Sequence, residues 1–389
     1  MVTMLSRVGS FSLLKRCGDR AASSIRRSAR KRLREGTPTS GASFSFTEES
    51  IRSLASTIES GGFVFSPLTP MEIPKGISGK FRGLSVPRKI DRVAHRAMYR
   101  VLLPEYIPII SEHASYGVLR RRGVKVALSH LKKAFSIHGE YVLICDIQKF
   151  FNNLDRKKLA EKILSPLPDR SLDELVIQLL APRYSRKPKH PDLFPGEIYG
   201  IAQGCSLSSV FADVYLKEFD AAMHELGYFV IRYVDDLIIV CRTHEQTHEA
   251  YFRAAEILGG LSLRLDAFGK AKCRSCHISD GPEFLGVKID AQGRLNVEPK
   301  KAYQFKQSIG SLVRSLGPEK KRREREETLC NMINGWLGAY ACCDDFHEHK
   351  LKIQGIVNKN LVQMEKDGRL DEKALSSVRL RIARLFKNR

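Results

Sequence analysis

Residues 229–241, FVIRYVDDLIIVC, place two adjacent carboxylates, Asp235 and Asp236, between two apolar runs rich in β-branched residues. This pattern predicts a buried β-hairpin with the acids at its tip. Neighbouring carboxylates resist being ionised together, so a positive partner is expected beside them. A third acid, Asp146, lies near the end of the apolar run YVLICDI (141–147), which predicts another buried strand.

Three carboxylates at strand ends are suited to binding hard divalent cations, because Mg²⁺ prefers oxygen ligands. Two such ions, roughly 3.5–4 Å apart, can hold the attacking and leaving oxygens of an in-line phosphoryl displacement. Bound metal would supply the charge that keeps the acids ionised, and rigid strands would hold their oxygens in place. An adjacent acid pair alone is more often structural, so this hypothesis depends on the surrounding sequence.

The surrounding elements alternate between helices and short apolar strands. Residues 88–102 have helical apolar spacing, and from residue 299 a further helix places Phe305, Ile309, Leu312, Val313 and Leu316 on one face. The basic run PEKKRREREE separates that helix from an apolar helix, LCNMINGWLGAY. The pattern predicts an α+β core with helical appendages. The remaining predicted elements are helices at 157–164, 171–181 and 249–261, a glycine-containing loop leading into a long helix within 200–226, and a strand at 283–290.

Composition points to a folded protein with a polyanionic partner. The 389 residues are 43% hydrophobic, and the formal net charge is +22. Such an excess of positive charge favours nucleic acid as the partner. The alternative is that this chain is merely a basic protein. No run of ~18 apolar residues is present, so we expect no membrane span. Nine irregularly spaced cysteines are typical of a reducing compartment, and we expect a cytoplasmic location.

Two basic segments are candidate nucleic-acid contacts. Residues 1–35 are rich in Arg and Ser and poor in acids, which is typical of an organellar transit peptide or of a basic arm lying on phosphates. We favour the arm, helical over 26–34 and joined to the rest by a flexible segment at 36–46. The helix at 88–102 carries an arginine every four residues, either as a solvated face or as a phosphate-tracking surface. The candidate residues are Arg26, Arg27 and Arg30 in the arm and Arg92, Arg96 and Arg100 in the helix.

The segment Cys273-Arg-Ser-Cys276-His277 matches the C-x-x-C-H spacing of haem attachment. A zinc site that combines Cys273 and Cys276 with Cys342, Cys343 or His347 is an alternative. A loop with small polar and thiol residues explains the same sequence, and we favour this structural interpretation.

Taken together, several segments resemble the reverse transcriptase family. YVDD in an apolar hairpin, the strand ending DIQKFF and the segment AQGCSLSSVFADVYL resemble its palm. IPKGISGKFRGLSVPRKIDRV resembles the fingers of bacterial group II intron-type enzymes, and SEHASYGVLRRRG resembles the segment that follows them. EFLGV resembles the primer-grip turn, and INGWLGAY resembles part of the helical thumb. These segments occur in the family's order over about residues 60–345.

The resemblance implies a right-hand polymerase and a division of the chain. The expected parts are a basic N-terminal arm and linker (1–46), fingers (47–140, with an insertion at 157–199), a palm with an antiparallel sheet (141–156 and 200–290) and a helical thumb (291–389). It also implies RNA-templated DNA synthesis from dNTPs with two Mg²⁺ ions bound by Asp146, Asp235 and Asp236. A partner protein or oligomer is compatible with the sequence, and the primer could be RNA, DNA or a protein hydroxyl.

Further site residues are implied position by position. Phe151 matches the aromatic ring under the sugar of the incoming nucleotide, where a bulky ring excludes a 2′-hydroxyl. Gln203 and Gly204 match the loop that packs against nucleotide and template, although Ala202 and Ser209 replace the family's usual prolines. The remaining matches are Lys75 and Arg82 as triphosphate ligands and Lys270 or Lys272 as proton donor to the leaving pyrophosphate.

The subclass is inferred from segments that the sequence lacks. After the thumb there is no room for RNase H or nuclease modules, and the V-T-G tripeptide of retron enzymes is missing. The chain therefore resembles bacterial unknown-group and defence-associated reverse transcriptases, some of which copy a partner non-coding RNA in anti-phage defence. The alternative is a group II intron-derived maturase that binds intron RNA and assists splicing.

Overall fold

The structure is a computed structural model that describes residues 2–34, 43–74, 81–110, 114–119, 121–316 and 319–387. The chain divides into two compact units. The first contains Met1–Val118, Ile147–Glu225 and Arg253–Asp266, and the second contains Leu119–Asp146, Leu226–Phe252 and Ala267–Arg389. None of the helices within the described residues is long and apolar enough to cross a membrane.

The first unit is mainly helical and includes one two-stranded antiparallel sheet, β1–β2. Its elements are α1 (Met4–Gly9), α2 (Phe11–Arg34), α3 (Glu48–Glu59), β1 (Thr69–Pro74), β2 (Phe81–Val86), α4 (Asp91–Tyr106), α6 (Phe150–Asn153), α7 (Arg156–Leu164), α8 (Asp173–Leu180), α9 (Ser208–Tyr215) and α10 (Lys217–Glu225).

The N-terminal segment is an integral part of this unit. Helices α1 and α2 pack against α3 and α4, and they bury Met4, Val8 and Leu14 almost completely. The backbone N–H of Met4 also donates to Asp169 Oδ2 at 2.8 Å. The predicted helix at 26–34 is therefore present, but it begins at Phe11 and its apolar side contributes to the core. The predicted flexible segment lies largely outside the described residues.

Several predicted helices are confirmed, and one is wrong. The helices expected at 88–102, 157–164 and 171–181 correspond to α4, α7 and α8. The single long helix expected within 200–226 is two helices, because the chain leaves helical geometry at Leu216. Leu216, Phe219 and Met223 are all fully buried. The break therefore leaves apolar side chains on both sides of Leu216 buried.

The second unit contains a four-stranded antiparallel sheet with strand order β4-β5-β3-β6. Helix α5 packs against β4 and β5. The central strands read as unbroken apolar runs because they are buried, with every residue from Leu237 to Cys241 at most 3% exposed. The elements are α5 (Val124–His138), β3 (Tyr141–Asp146), β4 (Phe229–Tyr233), β5 (Asp236–Cys241) and β6 (Arg274–His277), and α11 (His244–Gly260) extends across both units.

The C-terminal part of this unit differs from the prediction in two places. The strand expected at 283–290 is a hairpin, because Leu285 and Gly286 turn the chain with positive φ angles of 47° and 83°. The basic run expected to separate two helices belongs to α13, where Arg322 pairs with Glu326 one turn later. The elements are β7 (Glu283–Phe284), β8 (Val287–Ile289), β9 (Leu295–Val297), α12 (Pro299–Arg314), α13 (Glu319–Tyr340), α14 (Phe346–Lys366) and α15 (Glu372–Lys387).

Candidate active site

The three predicted acids converge at one end of the four-stranded sheet. Strand β3 pairs with β5 so that Asp146 lies opposite Asp236, and Tyr233 on β4 also pairs with Asp236. Residues directly opposite in antiparallel strands have Cα atoms about 4.5–5.5 Å apart. Asp235 lies in the turn between β4 and β5. Two separate chain segments therefore bring three carboxylates to one sheet edge.

The turn that carries Asp235 has an unusual backbone conformation. Val234 has a φ of 64°, in the left-handed region that a β-branched residue rarely adopts. Beneath it, the fully buried Arg232 donates from one guanidinium nitrogen to the carbonyl oxygen of Val234 at 3.1 Å. Residues held in such conformations cluster at functional sites, where the surrounding structure maintains them. The buried guanidinium is one of the contacts that hold this turn.

Positive charge is present beside the acids, as the repulsion argument requires. The ammonium group of Lys272 forms an ion pair with Asp146, whose side chain is only 18% exposed. Partial removal from water and the charges of Asp235 and Asp146 raise the pKa of Asp236 to about 6, and Lys272 and Lys301 oppose that rise. The site is therefore rich in negative charge that lysines compensate only in part.

The donor set suits a hard divalent cation, because it consists of carboxylate oxygens at the ends of paired strands. The raised pKa of Asp236 shows that a further positive charge would be favourable there. The side chains are not pre-arranged as a closed cage. Within the part of the chain that the structure describes, no three His, Cys, Asp or Glu side chains are grouped as a ready metal site.

The two candidate lysines of the late palm differ in position. Lys272 contacts Asp146 directly. Lys270 instead closes a turn, with its carbonyl accepting the backbone N–H of Cys273 at 3.0 Å. Lys272 is therefore the lysine that the structure brings to the acids, and the sequence did not distinguish between the two.

The alternative metal site around Cys273 and Cys276 is not formed. Cys273 is fully buried and its thiol contacts Cys145, whereas Cys276 lies in β6 and is half-buried. Successive residues of an extended strand point to opposite faces, so a spacing of three directs the two thiols apart. The grouping of Cys273 and Cys276 with Cys342, Cys343 or His347 is likewise absent from the metal-competent clusters of the described residues.

Four of the predicted nucleotide-binding residues, Arg82, Phe151, Gln203 and Gly204, lie in the first unit. The backbone N–H of Ser85 donates to the carbonyl of Gln203 at 2.8 Å, which ties β2 to the glycine loop. Gly204 has a φ of 107°, and a Cβ there would lie 3.1 Å from the Ser85 carbonyl oxygen. The loop thus requires glycine, both for its conformation and for the close approach of β2.

Phe151 and Arg82 are also described, whereas Lys75 lies outside the described residues. Phe151 is half-buried in α6, and its carbonyl accepts the N–H of Ile201 at 2.8 Å. Its neighbour Phe150 is 2% exposed, as expected for a core aromatic residue. Arg82 is exposed on β2 opposite Ile73.

The candidate basic residues differ in accessibility. Arg92 and Arg96 are half-buried on the helix that packs against α2, and only Arg100 in that row is exposed. Arg26 is half-buried and donates to the carbonyl of Phe44 at 2.8 Å. Arg27 is exposed, and the side chain of Arg30 lies outside the described residues. Arg27 and Arg100 are thus the more accessible candidates for phosphate contacts.

Sequence reasoning missed Arg232 and Lys301. Arg232 interrupts the apolar strand FVIRY, and a buried charge needs a partner, so its position was a usable signal. Lys301 lies beside the turn of the EFLGV segment. A Cβ on Gly286 would lie 2.7 Å from Lys301 Nζ and from the Tyr340 hydroxyl. No local pattern predicts that contact, because it joins three distant parts of the chain.

Comparisons with known proteins agree with this geometry. A family model described as "Reverse transcriptase (RNA-dependent DNA polymerase)" matches residues 73–289, more than half of the chain. The chain is 27% identical over 181 residues to the group II intron-encoded protein LtrA of Lactococcus lactis subsp. cremoris, a match covering 46% of this chain and 29% of that protein. It is 24% identical over 271 residues to protein YkfC of Escherichia coli (strain K12), covering 59% of this chain and 68% of that protein.

Among solved structures, apo telomerase from Candida tropicalis has a TM-score of 0.50 and 12% identity over 83% of this chain and 61% of that chain. This likeness concerns the fold alone, and it confirms the predicted α+β polymerase architecture. The chain spans less than a third of the length of LtrA. The family match over residues 73–289 shows that the chain belongs to the reverse transcriptase family.

Proposed function

We propose that this protein is an RNA-templated DNA polymerase that joins dNTPs by two-metal phosphoryl transfer. The convergence of Asp146, Asp235 and Asp236 at one sheet edge carries the proposal. Paired carboxylates on rigid strands suit the binding of two Mg²⁺ ions. When bound, the ions would supply the positive charge that stabilises the attacking and leaving oxygens.

The residues of the second unit have separate parts in this proposal. Asp146 and Asp235 would hold the metal, and Asp236 would add negative charge beside them. Lys272 forms an ion pair with Asp146. Its ammonium group is our choice over Lys270 as the proton donor to the departing pyrophosphate, because Lys272 is the lysine beside the acids.

The residues of the first unit would select and orient the nucleotide. Phe151 would lie against the sugar and exclude a 2′-hydroxyl, which favours DNA as product. The Gln203–Gly204 loop would let the backbone approach the nucleotide closely. Arg82, exposed on β2, would hold the triphosphate with its planar guanidinium, together with Lys75.

The decisive experiment is primer extension on an RNA template with Mg²⁺ and dNTPs. Asp235→Asn keeps the side-chain shape but removes a metal ligand, and we expect a loss of at least about 10³-fold, or about 4 kcal/mol. Glu256→Gln is the matched control, because it removes the same charge from an exposed position in α11. Equal extension by the Asp235→Asn variant and the wild-type protein would reject the proposed chemistry.

Sugar selection needs its own test. Phe151→Ala should relax discrimination against ribonucleotides, whereas Phe150→Leu alters the neighbouring core aromatic and should leave the sugar preference unchanged. The ratio of rNTP to dNTP incorporation measures the effect. An unchanged ratio in the Phe151→Ala variant would show that another residue selects the sugar.

The biological role proposed here is synthesis on a partner non-coding RNA in anti-phage defence. The net charge of +22 supports an RNA partner. A maturase-like role in intron RNA folding is the second candidate, because one relative is named a group II intron-encoded protein. Sequencing the nucleic acid that copurifies with the protein separates the two. One recurrent non-coding RNA with complementary DNA supports the first role, and intron RNA without DNA supports the second.

A further inference from the structure

Two cysteines lie next to each other beside the candidate active site: Cys145 is on β3, and Cys273 immediately precedes β6. The antiparallel ladder between β3 and β6 ends where Ile144 pairs with Arg274. Cys145 and Cys273 are the residues just beyond this last pair, and their Sγ atoms lie 2.8 Å apart. Both residues are buried, with exposures of 3% and 0%, and both are reduced.

The backbone geometry at this pair is compatible with a disulfide. In the adjoining ladder pair, Ile144 and Arg274, the Cα atoms are directly opposed and so about 4.5–5.5 Å apart, within the range of about 4.4–6.8 Å that disulfides span. A bond would require the sulfur atoms to approach to about 2.05 Å. The strands already place the two thiols in contact, so only a small local movement is needed.

Each cysteine is the immediate neighbour of a residue in the candidate active site. Cys145 precedes Asp146, and Cys273 follows Lys272. Asp146 and Lys272 form the ion pair described above. A covalent bond between the two sulfurs would therefore hold Lys272 and Asp146 close together through their neighbouring residues.

We propose that Cys145 and Cys273 form a reversible disulfide that withdraws Asp146 from metal binding. The oxidant is a peroxide. One thiolate attacks a peroxide oxygen, which gives a sulfenic acid and one water; the second thiol displaces the sulfenic hydroxyl as a second water and closes the S–S bond. Two electrons pass from the thiols to the peroxide. A thiol reductant reverses the step by exchange through a mixed disulfide.

The exposed turn before Cys273 provides a route for the oxidant. Residues 269–272 are all exposed, and the turn is closed by the hydrogen bond from the Cys273 N–H to the Lys270 carbonyl. Brief opening of this turn uncovers the thiol of Cys273. Disulfides in reducing compartments are typically transient and redox-sensing, in agreement with the cysteine pattern of this chain.

The test has two separate readouts. The reduced protein is treated with hydrogen peroxide, and peptide mass spectrometry under non-reducing conditions maps the disulfide. We expect a Cys145–Cys273 cross-linked peptide, which dithiothreitol removes. Cys276→Ser is the matched control, because Cys276 lies on β6 opposite Val142 and has no cysteine across from it. This control should form the same cross-link as the wild-type protein.

The second readout, the effect on synthesis, rests on the proposed function. Oxidation should lower primer extension at limiting Mg²⁺ at least tenfold, and dithiothreitol should restore it. The Cys145→Ala and Cys273→Ala variants should each keep their activity after peroxide, and a variant that fails to fold leaves the other as the test.

Two results would overturn the inference: no Cys145–Cys273 peptide after peroxide treatment, or cross-linked protein that extends primers as fast as reduced protein. Absence of synthesis by the reduced wild-type protein would instead reject the proposed function. The mapping experiment would still decide whether the disulfide site exists.

Discussion

Replacing Asp236 with Asn should stabilise the metal-free protein, and the gain should depend on pH. Partial removal from water and the charges of Asp235 and Asp146 raise the pKa of Asp236 to about 6, from an ordinary value of 3.8. The unfolded chain therefore loses this proton at a lower pH than the folded protein. Stability falls as the pH rises from about 4 to above 6, and the whole cost is present at neutral pH.

The size of the effect follows from the shift. A difference of roughly two pKa units corresponds to about 3 kcal/mol at 1.36 kcal/mol per unit. The Asp236 side chain is only partly removed from water, so screening by the remaining water reduces this figure, and we expect about 1 kcal/mol. For a protein of this size, that gain raises the melting temperature by about 1–3 °C.

The assay is thermal unfolding of the wild-type protein and the Asp236→Asn variant in EDTA. The variant should melt at nearly the same temperature as the wild type near pH 4 and at a higher temperature near pH 8. Glu256→Gln, which removes one exposed charge elsewhere, should show no comparable dependence on pH. Under the proposed function Mg²⁺ binds the folded carboxylates, so it should raise the melting temperature of the wild type more than that of the variant.

A variant that is less stable than the wild type near pH 8, or a difference that is the same near pH 4, would refute this reasoning. Either result would mean that electrostatic repulsion among the three acids is not a cost that the folded protein carries.

Three further substitutions test the surrounding structure. Arg232→Met should lower the free energy of unfolding by about 2–4 kcal/mol, because it leaves the Val234 carbonyl without its guanidinium donor. An unchanged denaturation midpoint in urea would show that Arg232 does not stabilise the turn. Leu14→Ala should lower the free energy of unfolding, measured with heat or urea, by about 2–5 kcal/mol, since Leu14 is fully buried in α2. An undiminished stability would indicate that α2 is a loosely attached arm. Gly204→Ala should lower the free energy of unfolding by about 1–2 kcal/mol and raise the KM for dNTP, because the φ of Gly204 is 107°. In the control Gly259→Ala, the new Cβ in α11 meets no atom within 4 Å, so this change should be neutral or stabilising.

Sequence patterns predicted the carboxylate cluster because its elements are local. Asp146, Asp235 and Asp236 each adjoin an apolar run long enough to define a strand. Their meeting at one sheet edge followed from the resemblance to a family, since strand order cannot be read from periodicity. The register that sets Asp146 opposite Asp236 required the structure.

The errors share a physical cause. Periodicity reports which residues are apolar, and it does not show where the backbone turns. The break at Leu216 leaves the apolar spacing intact, and the turn at Leu285–Gly286 lies inside a run that reads as one strand. In α13 the opposite happened: a charged run that reads as a separator is helical, because Lys, Arg and Glu favour helices and pair along one face.

The left-handed conformation of Val234 bears on when the carboxylates acquire their arrangement during folding. The left-handed conformation costs a β-branched residue roughly 1–2 kcal/mol in conformational free energy, so an isolated peptide of residues 229–241 would populate other turns. The buried guanidinium of Arg232 contributes to holding the conformation only once the strands beside it have assembled. We therefore expect a newly synthesised chain to bring the three carboxylates together late, after the sheet has formed, so that under the proposed function magnesium binding and synthesis would begin only in the folded protein.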